Sequence, residues 1–263
     1  MLGQASTCDG MEEAMKLQER AIEVRGKAVY YKTAGDGEPL ILVHGLSGST
    51  RWWVRNIPAF AEHYAVYLVD LPGFGTRARA QRFVLAEAAT WLLDWFHALG
   101  LRRADWLGHS MGGYLCLQIA ARQPQIVDRL VLAAPALLPT GHNWQGYLLP
   151  LMAATRYMRP SFLPILLTDA LRAGPLTLVR ATRDLLSKDI REEAHAVRSP
   201  TLLIWGQNDM LVPPILANLL HREMSHSRLL ILKGAGHVVM YDRPRAFNAA
   251  VLDFLSGAKT GTS

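Results

Sequence analysis

Gly108-His109-Ser110-Met111-Gly112 is a G-x-S-x-G string lying between an apolar run of buried-strand type and a helical pattern. In that setting the serine sits on a tight strand-to-helix turn that raises its hydroxyl above a sheet edge. Glycine at both two-residue offsets removes the β-carbons that such a turn would crowd. A serine hydroxyl is a weak nucleophile at neutral pH, so it needs a base, and the base needs a partner that fixes its tautomer. His237, in Gly234-Ala235-Gly236-His237, follows the last strand-like run, where a loop of small residues can carry an imidazole over the serine. It is the candidate base. Among the other histidines, His44 at a strand end and His109 beside the serine read as hydrogen-bonded structural residues. His63, His97, His142, His195, His221 and His226 are assigned no chemistry.

The carboxylate partner should stand on another loop at the same sheet edge, and Asp209 in Gly206-Gln207-Asn208-Asp209 fits that place. Asp242, five residues past His237, is its rival. Asp70 precedes Leu71-Pro72-Gly73-Phe74-Gly75 and reads instead as an acid that shapes a turn through backbone hydrogen bonds. Negative charge developing on a substrate carbonyl needs aimed donors. His44-Gly45-Leu46-Ser47-Gly48-Ser49 can bring the Leu46 amide beside the Met111 amide, where a helix start also favours an anion. The same glycines lack both the dinucleotide spacing and the lysine of a phosphate-binding loop.

These residues need a sheet to carry them. Short apolar runs at 17–24, 27–33, 40–44, 65–70, 104–108, 130–134, 201–205 and 228–232 read as strands, the first two forming a hairpin about Arg25 and Gly26. Helical patterns at 51–62, 83–98, 111–122, 213–222 and 244–256 alternate with them, which is the pattern of a mainly parallel α/β sheet. Between 137 and 198 the alternation fails, with Pro139, Pro150, Pro160, Pro164 and Pro175 among large apolar side chains. That stretch reads as a helical cap, between core segments 18–136 and 199–256, with a flexible leader at 1–17 and a tail at 257–263.

The chain has 263 residues, is 50% apolar and 19% charged, and carries 28 basic against 22 acidic residues, a formal charge of +6. That excludes disorder as a description of the whole and allows a single large core. Lysines and arginines form no block, so no nucleic-acid partner is expected. The uncharged run 130–155 is interrupted by Pro135, Pro139, Gly141, Asn143, Gln145 and Pro150, which argues against a membrane span. Two cysteines, Cys8 and Cys116, make no disulfide framework, and residues 1–13 lack the pattern of a signal peptide, so a cytoplasmic location is expected.

The order Ser110, Asp209, His237, with His44-Gly45, the Asp70–Gly75 turn and the insertion before residue 199, resembles the α/β-hydrolase superfamily over residues 20–256. Within it the chain is similar to the small serine carboxylesterases and lipases, a group that also holds carrier-protein ester hydrolases, cofactor-free haloperoxidases and carbon–carbon bond hydrolases. Ser110 separates it from the epoxide hydrolases and haloalkane dehalogenases, whose nucleophile is an aspartate. Thr76 stands where the family often has serine. The resemblance implies an eight-stranded, mainly parallel sheet with the cap inserted after strand 6, no metal or organic cofactor, and ester cleavage through an acyl-enzyme on Ser110.

An apolar acyl or aryl pocket is expected from Trp52 and Trp53 after the oxyanion loop, Trp144, Tyr147, Leu151 and Phe162 in the cap, and Val238 beside His237. Between 137 and 183, Arg156, Arg159, Arg172, Arg180 and Arg183 face a single acid, Asp169. This excess is either a solvated helix face or a docking site for an acidic partner such as an acyl carrier protein. A small-molecule receptor that keeps the fold with negligible turnover is the non-enzymatic alternative.

Overall fold

A computed structural model describes residues 17–136, 153–189 and 191–257. Eight strands form one sheet in the order β1-β2-β4-β3-β5-β6-β7-β8. They are β1 (Gln18–Val24), β2 (Lys27–Ala34), β3 (Glu38–Val43), β4 (Tyr64–Val69), β5 (Ala104–His109), β6 (Val127–Ala133), β7 (Thr201–Gly206) and β8 (Ser227–Leu232). β2 pairs antiparallel with both β1 and β4, and every pairing from β4 to β8 is parallel. Arg25 and Gly26 turn the first hairpin with φ of 51° and 74°, the doubly positive geometry that suits a two-residue hairpin loop.

The central strands are apolar on both faces, as parallel strands covered by helices must be. Leu40 and Leu42 of β3 join one apolar cluster with Trp53, Phe60 and Phe247, while Ile41 and Val43 join the other with Trp106 and Leu115. The first face carries α1 (Ile57–Ala61) and α9 (Pro244–Gly257); the second carries α2 (Leu85–Ala98), α3 (Met111–Arg122) and α7 (Pro214–Glu223). Crossovers leave β3 and β5 toward opposite edges of the sheet. The crevice beyond the carboxyl ends of these two strands is therefore a topological switch point, where open α/β sheets bind ligands. Cys116 lies buried in α3, where burial pushes its thiol up.

The expected helix at 51–62 is split into a 3₁₀ turn at Thr50–Trp53 and the short α1. Pro58, the second residue of α1, has no N–H to continue a helix from upstream. Between β6 and β7 the described residues hold α4 (Leu163–Ala173), α5 (Pro175–Leu186) and α6 (Arg191–Ala196). α4 and α5 meet at Gly174, while α6 packs on α3 and α7. A further helix, α8 (Val239–Asp242), follows the His237 loop. No single described helix is long and apolar enough to cross a membrane. The expected leader and tail fall almost wholly outside the described residues, as do Trp144, Tyr147, Leu151 and Cys8.

Candidate active site

Ser110 joins β5 to α3 with φ 52° and ψ −117°, a backbone conformation that strains any residue but glycine. Its N–H donates to Ala133 O at 3.0 Å, and its own carbonyl accepts from Tyr114 and Ala136 at 3.0 and 3.1 Å, so the strained turn is held from three sides. Glycine is obligatory on either side of it. A β-carbon at Gly108 would stand 2.4 Å from Gly112 O, and one at Gly112 would stand 2.4 Å from Val43 O.

The loop after β3 runs directly beside this turn, since a β-carbon on Gly45 would lie 3.1 Å from that of Ser110. His44 fixes the loop's first step. Its Nδ1–H donates to Gly45 O at 2.8 Å, and its Nε2 accepts the Leu71 N–H at 3.0 Å, which requires the neutral ring. Burial lowers its pKa in keeping with that role. Asp70 accepts the Thr50 N–H at 2.7 Å and the Thr76 N–H at 3.2 Å, lacing the loops after β3 and β4 together. The Leu46 N–H and the Met111 N–H, at the first residue of α3, donate no hydrogen bond among the described residues.

Two more loops converge from β7 and β8. Asn208 N–H reaches Ala235 O at 2.9 Å, and Gln207 N–H reaches Leu232 O at 3.0 Å. His237 Nδ1–H donates to Asp209 Oδ2 at 2.8 Å, and both side chains are buried. Asp209 Oδ1 takes the N–H groups of Leu211 and Val212, each at 2.9 Å, so the carboxylate is oriented by its own loop. With its proton on Nδ1, the His237 ring keeps Nε2 as the free base. His109 ties this loop to the serine turn, donating from Nε2 to His237 O at 3.0 Å with the two rings 4.9 Å apart. Burial first, and the neighbouring His237 second, hold His109 well below the usual imidazole range, so it bonds as a neutral donor.

Asp242 stands on the far side of the same loop. It accepts the Gly236 N–H at 3.0 Å and the Arg159 N–H at 3.2 Å, and burial raises its pKa. It therefore shapes the backbone that carries His237 instead of meeting the ring. Trp52, Trp53, Phe162 and Val238 are buried in one apolar cluster, with the Trp52 ring 5.0 Å from Phe162 and 5.7 Å from His109. Of the five basic side chains singled out in the insertion, Arg159 donates to Asp242 O at 2.8 Å and Arg172 lies 3.6 Å from Asp169, whereas Arg156, Arg180 and Arg183 are exposed. Among the described residues no group of three or more His, Cys, Asp or Glu side chains could hold a metal ion.

Sequence reasoning misses Asp169. It treats that acid only as a counterweight to arginines, yet the side chain is fully buried against the loop after β3. The available signal is its place as the sole acid in 137–183, inside the apolar run of α4.

A model of the alpha/beta hydrolase family matches residues 40–250. The chain belongs to the α/β-hydrolase family. It is 32% identical over 269 residues to the dihydrolipoyllysine-residue acetyltransferase component of an acetoin cleaving system from Pseudomonas putida, covering 94% of this chain and 71% of that one. It is 28% identical over 261 residues to a pimeloyl-[acyl-carrier protein] methyl ester esterase from Yersinia enterocolitica, covering 89% of this chain and 100% of that one. Among solved structures, a hydrolase from Pseudomonas aeruginosa superposes on this α/β-hydrolase with a TM-score of 0.75 at 26% identity, covering 92% and 98% of the two chains.

Proposed function

We propose that Ser110 is the nucleophile of a carboxylic ester hydrolase, acting through an acyl-enzyme on esters with apolar acyl or aryl groups. The hydroxyl oxygen attacks the ester carbonyl carbon as its proton passes to His237 Nε2. The imidazolium so formed is stabilised across Nδ1 by Asp209. The Leu46 and Met111 N–H groups receive the charge that builds on the carbonyl oxygen. Collapse expels the alcohol, which takes the proton from His237. Water then attacks the acyl-enzyme carbonyl as His237 takes its proton; the bond to Ser110 breaks, the carboxylic acid leaves, and Ser110 takes the proton back from His237.

The observation that carries this reading is the Asp209–His237 bond, aimed by two backbone amides and tied by the His237 carbonyl to His109, the residue before a strained serine. Trp52, Phe162 and Val238 would line the acyl or aryl side, with Trp53 in the same cluster, and the insertion would act as the cap. We place the enzyme in the cytoplasm. A fluorophosphonate probe should label the wild type and miss Ser110→Ala; equal labelling of both overturns the assignment.

A second substrate reading is an acyl group borne by a carrier protein. It draws on the exposed Arg156, Arg180 and Arg183 and on the relative described as a carrier-protein methyl ester esterase. Reversing these three to glutamate should slow carrier-borne substrate while sparing small nitrophenyl esters, because rim charges act on association. Equal effects on both substrates remove it.

A further inference from the structure

Two carboxylates hold the loop after β3, one from each side. Asp70 belongs to the sheet body and takes the Thr50 N–H, whatever the insertion does. Asp169 belongs to α4 of the insertion and is fully buried. Its Oδ2 accepts the Ser49 hydroxyl at 2.6 Å and the Trp52 indole N–H at 3.2 Å. Ser49 Oγ in turn accepts the Arg51 N–H at 3.3 Å and so opens the 3₁₀ turn. Among the described residues, Asp169 Oδ1 makes no hydrogen bond and is balanced only by the guanidinium groups of Arg51 and Arg172, at 3.5 and 3.6 Å. A buried carboxylate is retained only where its partners are in place, and withdrawing one leaves charge uncompensated.

Ser49 and Trp52 lie just beyond Leu46 in the chain, and the Trp52 ring also rests on His109 and Phe162. We infer that Asp169 is a positioning residue: through it, seating of the insertion aligns the loop that presents the Leu46 N–H to the reacting oxygen. This rests on the proposed ester chemistry at Ser110. The donor pair is complete only when α4 is docked. A substrate that holds the insertion away loses transition-state stabilisation, so discrimination by size is read in kcat more than in KM.

The test compares Asp169→Ala, Ser49→Ala and their combination. Withdrawal of one oxyanion donor lowers kcat about 10²- to 10³-fold, so misplacement of Leu46 should lower it about 10- to 100-fold with KM nearly unchanged. Affinity for an arylboronic acid, which forms a tetrahedral adduct, should fall with kcat/KM. The double variant should be no worse than Asp169→Ala alone, since both act along one path. Hydrogen exchange of the amides at 45–52 and of the Trp52 indole should quicken in each variant. Unchanged kcat with only a lower melting temperature, additive losses, or unchanged exchange each overturn the inference. Ser49→Ala decides the matter if Asp169→Ala does not fold. Absence of fluorophosphonate labelling and esterase activity in the wild type would instead refute the Ser110 chemistry, and the exchange measurement still decides whether the insertion orders the loop.

Discussion

Asp209→Asn separates the chemistry of the site from its architecture. The new amide can keep its oxygen where Oδ1 now accepts Leu211 and Val212, because both donors are backbone N–H groups at 2.9 Å. Its NH₂ then replaces Oδ2, 2.8 Å from His237 Nδ1. Two donors cannot face each other, so the ring must move its proton to Nε2 and accept from the amide through Nδ1. The imidazole stays in place but no longer offers a base to Ser110. A wrong tautomer of this kind lowers kcat about 10⁴-fold, which is about 5.5 kcal/mol on the barrier. The stability term is smaller: a charge-assisted hydrogen bond contributes about 1.5–3 kcal/mol, and the replacement bond restores part of it. The assay is therefore kcat on a nitrophenyl ester beside urea denaturation of the same preparation. Asp242→Asn is the internal control, since that carboxylate holds the Gly236 and Arg159 amides and not the ring. A loss below tenfold in Asp209→Asn, with a larger loss in Asp242→Asn, would refute the assignment and move the partner role to Asp242.

Two further outcomes follow from the geometry. Gly112→Ala puts a β-carbon 2.4 Å from Val43 O and 2.5 Å from His44 O, backbone atoms at the end of a central strand and the first step of its loop that cannot readily retreat, so stability to urea should fall by about 3 kcal/mol or more and fluorophosphonate labelling should be lost. Stability near wild type would show that the turn tolerates a side chain there. Stability should also fall with acid below the usual imidazole value of 6.5, because burial lowers His44 and His109 in the fold while the unfolded chain takes up their protons. The stabilisation is complete above that pH and is lost downward at about 1.4 kcal/mol per pH unit per histidine until the lowered values are reached. His109→Gln should make the slope below pH 6.5 shallower in urea titrations at stepped pH; equal slopes would refute the neutral-ring account.

The sheet is legible in the sequence because central parallel strands are apolar on both faces and end in polar or glycine-bearing loops. Leu40 to Val43 divide by parity between two cores, and the same alternation runs through β6. Ser110, Asp209 and His237 are conspicuous for a related reason: each stands in the loop directly after a strand, so local signals suffice to place them at one sheet edge. Asp70 and His44 are legible as structural because their partners lie on adjoining loops. The split of the expected 51–62 helix is less visible, because Trp52, Trp53 and Phe60 keep an apolar pattern across a break imposed by Pro58.

Asp169 defeats local reading because an amphipathic helix is expected to turn leucines inward and acids outward. In α4, Leu167 and Leu171 are exposed while the carboxylate is buried, and its hydrogen-bonding partners Ser49 and Trp52 lie 120 and 117 residues away. No periodicity carries that information, since the burial of a charge is decided by which groups reach it in three dimensions. The same holds for Asp242, whose value as a rival partner depends on which side of the His237 loop it occupies, and that side is set by Gly236 and Arg159. Both acids join the insertion to the body: one grips Arg159 where α4 is approached, the other holds the loop beneath α4 itself. Asp169 and Asp242 thus add specific polar contacts to the apolar packing of Phe162 on Trp52, so movement of the insertion should break particular hydrogen bonds at these two acids as well as part that packing.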